Sequence, residues 1–168
     1  MAIDATLGGA NSNSYVTLDE ADAYFENHAY SSIWNGQEEV LIYACVLLDN
    51  LVAWNGYKYY WNQAIQRLQF PRSMSLINQM EGSLLPQPYI PNEIKAAQCE
   101  LTLYLLSNTS LLPENGFDKV EVGPIKIDFN QMAAGNQDLL PPIVQGMISR
   151  FGKVLRSGTG IMQAPLTR

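Results

Sequence analysis

The side chains able to carry covalent or metal chemistry are few and scattered. One histidine, His28, and two cysteines, Cys45 and Cys99, are the whole supply of imidazole and thiol in 168 residues. A nucleophile needs a base within reach, and no motif around His28 supplies a Ser-His-acid or Cys-His set. One histidine and two isolated cysteines also fail the ligand count and spacing of a zinc site. His28 stands near the end of the first expected helix, where a cation favours the helix dipole, so its reading is structural. Cys45 and Cys99 each lie inside an apolar helical pattern and read as buried free thiols. The paired acids Asp19-Glu20 and Glu38-Glu39 fall at helix starts, the place for dipole partners rather than acid–base pairs. Gly8-Gly9 and Gly158-Thr159-Gly160 lack the lysine of a phosphate loop and the strand-to-helix setting of a dinucleotide site. These absences exclude an enzyme and imply no cofactor and no metal.

One constellation remains: Trp54, Tyr57, Tyr59, Tyr60 and Trp61, close in sequence to Lys58 and Arg67. Aromatics interleaved with cations can stack single-stranded bases. They also fill cores and subunit contacts, and two cations are few for a groove that tracks phosphates. The sequence therefore favours a core or interface role for these rings. Charge points the same way. The net charge is −6, and the four cations from Arg150 onward, with no acid among them, leave −10 on residues 1–149. An acidic body repels phosphate and a basic tail invites an acidic partner. Charged residues are 15% of the chain and hydrophobic ones 47%, against about 25% charged in typical soluble domains. That balance predicts an outer surface partly covered by neighbours. No apolar run reaches the length of a membrane span, and the first residues lack a leader's basic and apolar regions. The expected setting is reducing and cytosolic.

The elements that position these groups follow from periodicity. The expectation is a mainly α fold: a small bundle of about four helices, one β-hairpin near 117–129 and extended arms at both ends. Residues 1–14, small and polar, read as an N-terminal arm, 15–152 as a single helical domain and 153–168 as a C-terminal arm. Thr17 and Glu20 have the spacing of a capping box and open a helix over about 18–29. Val40, Leu41, Ala44, Leu47, Leu48 and Leu51 predict a second over about 37–54, stopped by Asn55-Gly56. Pro91 opens a third over about 91–107, and Pro141-Pro142 a fourth reaching about 152. Between them, the YKYYWNQAIQRLQFPR stretch ending at Pro71 and Arg72 reads as irregular or part helical, and 73–90 as a surface loop. Over 117–129 the period changes to two. A turn at Gly123-Pro124 pairs Val122 with Ile125, Glu121 with Lys126, Val120 with Ile127 and Lys119 with Asp128, apolar with apolar and acid with base. A lone hairpin is marginal, so its face, Val120, Val122, Ile125, Ile127 and Phe129, must pack on the helices or on another subunit.

NSYVTLDEADAYF, then Ala44-Cys45-Val46-Leu47-Leu48-Asp49, Leu68-Gln69-Phe70-Pro71-Arg72, Ile90-Pro91-Asn92-Glu93-Ile94-Lys95-Ala96-Ala97 and Val122-Gly123-Pro124-Ile125 follow in that order. Over roughly residues 11–130 they resemble a phage family labelled putative DnaT-like single-stranded-DNA-binding protein. They are similar also to the bacteriophage head-tail connector, or adaptor, proteins. The resemblance implies a structural virion protein made in the host cytoplasm and placed in the neck. It would form a ring with copies of itself, of about twelve subunits, closed by heterologous contacts. One face would dock on the portal and the other on a tail-side neck, stopper or tail-completion protein. Genomic DNA would pass through the channel during packaging and ejection without specific binding, and no membrane is involved. The resemblance assigns portal docking to a C-terminal arm, here Arg150, Lys153, Arg156, Ile161, Met162, Leu166 and Arg168. The acidic body favours this connector over the alternative that the family label carries, a single-stranded-DNA-binding replication accessory.

Overall fold

The computed structural model describes residues 2–60, 65–73, 88–107, 120–121, 126–127 and 140–155. Four α-helices lie among them: α1 (Leu18–Glu26), α2 (Glu38–Leu51), α3 (Asn92–Ser107) and α4 (Pro142–Ile148). Six short strands join them: β1 (Val52–Trp54), β2 (Tyr57–Lys58), β3 (Arg72–Ser73), β4 (Val120–Glu121), β5 (Lys126–Ile127) and β6 (Gly152–Val154). They pair antiparallel as β1 with β6, β2 with β3 and β4 with β5. The fold is mainly α with a small β4–β5 hairpin, as the periodicity predicts; the β1–β6 and β2–β3 pairings lie beyond that expectation.

α3 is the axis. Ile94, Ala97, Leu101 and Leu105 enter one apolar cluster with Ala44, Cys45, Leu48, Val144 and Ile148, while Cys99 and Leu103 enter a second with Ala21, Phe25 and Leu41. A helix with apolar residues on both sides must be covered on both sides; α2 and α4 pack against it, and α1 lies along the second cluster. Full burial of a Leu or Ile side chain stabilises by about 1.5–3 kcal/mol. The buried polar groups on α3 are all bonded. Gln98 donates to Ser14 Oγ and to the Leu41 carbonyl, both at 2.8 Å, and accepts from the Tyr15 amide at 2.9 Å. Both cysteines are buried free thiols.

The capping box at Thr17 is present in both directions, Glu20 N–H to Thr17 Oγ1 at 3.1 Å and Thr17 N–H to Glu20 Oε2 at 3.0 Å. The predicted hairpin register is also found: Val120 opposite Ile127 and Glu121 opposite Lys126. Val122, Ile125, Phe129 and the Gly123-Pro124 turn lie outside the described residues, as do Trp61, Arg156, Ile161, Met162, Leu166 and Arg168.

Three expectations are corrected. The second helix does not run to 54: Val52, Ala53 and Trp54 leave it as strand β1, because Val154, Lys153 and Gly152 pair with them. Asn55-Gly56 is then a turn between strands, with Gly56 at φ 71°, where a side chain would be strained. The C-terminal region is not an arm from 153: β6 zips onto β1, and Leu155 N–H reaches the Leu51 carbonyl at 2.8 Å. Nor do residues 2–14 stand off as an arm. Asn13 ties the loop by donating its amide to the Asp4 carbonyl and accepting from the Asp4 amide, both at 2.8 Å, and Ser12, Asn13 and Ser14 are buried. The sequence hides this because the ties are polar and leave no apolar period.

Candidate nucleic-acid interface

Residues 1–57 contain no lysine or arginine, and residues 52–73 and 140–156 contain no aspartate or glutamate. The β1–β6 pairing joins these two acid-free segments, and β2–β3 doubles the first back on itself. Lys58, Arg72, Arg150 and Lys153 are thereby gathered about the Asn55–Gly56 turn, and Arg67 joins them through its carbonyl, which accepts from Lys58 Nζ. Outside this layer, Lys95 pairs with Glu20.

The five cations divide by what they already hold. Lys58 and Arg72 lie opposite each other in register, a repulsive pairing for like charges, and main-chain carbonyls separate them. Lys58 Nζ donates to the Arg67 carbonyl at 2.9 Å and the Gln66 carbonyl at 3.3 Å. Arg72 donates from Nε to the Asn55 carbonyl at 2.7 Å and from Nη2 to the carbonyls of Gly56 at 2.6 Å and Trp54 at 3.3 Å. Its Nη1 donates to Gln69 Oε1 at 2.8 Å and the Gln69 carbonyl at 3.4 Å. These two side chains build the turn. Arg67 and Lys153 are exposed, and Arg67 is engaged by a 3.5 Å bond to the Asn11 carbonyl. Arg150 is exposed, pairs with Glu93 and stands over the Phe151 ring at 4.6 Å.

The aromatic group is split by the fold. Trp54 packs edge-on to Phe70 at 5.0 Å, and Tyr59 edge-on to Tyr60 at 5.0 Å. Tyr57 is 50% exposed. Tyr89, in the 73–90 stretch that reads as a surface loop, is 67% exposed and lines a small pocket of about 90 Å³ with Asn55, Phe70, Arg72, Pro91 and Phe151. Nothing local in the sequence marks Tyr89, since its pocket is closed by residues from the far end of the chain.

Behind this layer lies a buried carboxylate. Asp49 accepts from the Tyr15 hydroxyl and, at 3.1 Å, from the Gln69 amide. Burial pushes its carboxyl up to about 6, against the opposing pull of Tyr15, Gln69, Lys58 and Arg72. Burial likewise holds the Tyr15 hydroxyl well above its ordinary value. His28 Nε2 lies 3.0 Å from Glu100 Oε1, which also accepts from Tyr24 at 2.7 Å. Among the described residues no cluster of three metal-ligating side chains occurs, and no helix is long and apolar enough to cross a membrane.

A family model described as "Putative DnaT-like ssDNA binding protein" matches residues 1–168. The chain belongs to that family. No curated protein and no solved structure matches it. This match replaces the head-tail connector reading and its virion, portal and neck vocabulary with the family's single-stranded-DNA description. Summed along the sequence, the −10 of residues 1–149 argues for the connector. In the fold, two segments without acids are paired, and they carry Lys58, Arg67, Arg72, Arg150 and Lys153 together with the exposed Tyr57.

Proposed function

We propose that this chain binds single-stranded DNA along the acid-free layer formed by β1, β2, β3 and β6. The observation that carries the reading is the β1–β6 pairing, which brings Arg150 and Lys153 to the Lys58, Arg67 and Tyr57 segment. Exposed Arg67, Lys153 and Arg150 meet phosphates, and exposed Tyr57 and Tyr89 offer rings to bases. Base–aromatic stacking tolerates any sequence, so binding is expected to be general rather than base-specific. The family's description supports the same ligand.

Three available cations set the scale. Each phosphate neutralised on a single strand contributes about −0.7 to the slope of log affinity against log salt, so the chain should show a slope of about −2. Fluorescence anisotropy of a labelled oligothymidylate, titrated at several salt concentrations, measures it. Arg67→Ala with Lys153→Ala should lower affinity and bring the slope to about −0.7. Glu38→Gln with Glu39→Gln, at the acidic end, should leave binding undiminished. A wild-type chain that does not bind, or binds with a slope indifferent to the two cations, overturns the reading.

A further inference from the structure

Resting on that reading, we infer that the pocket beside the Asn55–Gly56 turn takes the edge of one nucleobase of the bound strand. Its walls are flat and mostly apolar: the rings of Tyr89, Phe70 and Phe151, Pro91, and the guanidinium of Arg72. All five N–H groups of an arginine are available for bonding in principle. Those of Arg72 are directed at five oxygen acceptors of the protein. It has no donor left for a phosphate and presents only its planar face, a surface on which bases stack. Asn55 is exposed, its side-chain amide engaged by a 3.5 Å contact to the Arg150 carbonyl. It is free to exchange that contact for the polar edge of a base, as carboxamides do.

Size and charge narrow the occupant further. At about 90 Å³ the pocket is far below the roughly 300–1,000 Å³ that encloses a small-molecule ligand. What fits is one thin end of something whose bulk lies outside. Outside are Lys153, and Arg150 poised over Phe151 with Glu93 as its counterion, so the bulk that belongs there is anionic. A base on its sugar-phosphate chain meets both demands.

The full-length chain is tested against two labelled strands of equal length, oligothymidylate and a wholly abasic tetrahydrofuran strand. Tyr89→Ala should weaken oligothymidylate binding about tenfold, the scale of one lost stacking contact, and leave the abasic strand and the salt slope unchanged. Tyr89→Phe, which keeps the ring, should restore the affinity. Arg67→Ala with Lys153→Ala should weaken both strands alike. A Tyr89→Ala loss of equal size on the two strands, or none on oligothymidylate, overturns the base pocket while leaving the phosphate-binding layer standing. Wild-type chain that holds neither strand overturns the layer, and the pocket falls with it.

Discussion

At the N-terminal end of α2 stand Glu38 and Glu39, and α1 carries Asp19, Glu20, Asp22 and Glu26; at the C-terminal end of α2 the chain turns into strands, and Lys58, Arg67, Arg72, Arg150 and Lys153 lie in and beside them. The fourteen residues of α2 carry the chain from Glu38 and Glu39 to the strands, a length of about 21 Å, some two Debye lengths at ordinary salt. At that distance Glu38 and Glu39 do not cancel the cations for a ligand lying on the strands. The two regions are also built differently. The acidic one is local, a helix fixed by its own capping box and dipole, with its apolar side pressed on α3. The basic one is assembled from segments about a hundred residues apart, by strand pairing and by arginine and lysine bound to carbonyls. A net charge summed over the chain describes neither.

The largest effect is expected where the basic region is most crowded. A Cβ at Gly152 would lie 2.8 Å from the Ala53 carbonyl oxygen and 2.8 Å from Val52 Cγ1. Neither the backbone nor a buried valine can retreat cheaply, so Gly152→Ala should cost about 2–3 kcal/mol, read by chemical denaturation. It should also weaken oligonucleotide binding at temperatures where the variant stays folded, since Lys153 moves with the strand. A destabilised variant that binds as before would show that β6 is not part of the interface.

A smaller effect tests the link between the regions. Asp49 belongs to α2 yet accepts from Gln69 on the basic side, and burial raises its folded value to about 6 from an unfolded value of about 3.9. A raised value means that the folded state holds the proton more tightly than the unfolded one. The contribution is therefore full below about pH 4 and is lost as pH rises through about 6. Allowing for partial hydration of the carboxylate, the wild type should lose about 1–2 kcal/mol relative to Asp49→Asn between about pH 4 and pH 7. Comparing the two proteins at each pH removes the fixed cost of the altered hydrogen bond. A difference that stays constant across that range would mean that Asp49 titrates as an ordinary carboxyl.

This division explains what could be read in the chain and what could not. The existence of all four helices, the box at Thr17 and Glu20, and the 120–127 register are all written in neighbouring residues, so periodicity reached them. β1 and β6 are three residues each, and Val52-Ala53-Trp54 continues the helical pattern before it; only the partner a hundred residues on decides for strand. Gln66, Gln98 and Asn13 look like surface residues in sequence, yet each is buried as the hub of a bonded network. Their role depends on acceptors brought in by distant segments, which no window of sequence contains. The proposed interface is the least legible part: in sequence Lys58 and Arg67 stand beside the aromatics and four cations lie from Arg150 onward, and neither group alone is dense.

The smallest effect checks the local character of the acidic side. Thr17→Ala removes the side-chain acceptor for Glu20 N–H while Glu20 keeps its partner Lys95, so the loss should stay near 1 kcal/mol, the usual worth of an N-cap. Thr17→Ser should recover most of it, because the hydroxyl is what the amide needs. Oligonucleotide affinity and its salt slope should be unchanged in both variants, since the Thr17 side chain bonds to Glu20 and holds none of the cations or rings of the strands. A Thr17→Ala chain that loses little stability yet binds differently would make the acidic helix a participant in binding, and the separation of the two ends would no longer describe how the molecule works.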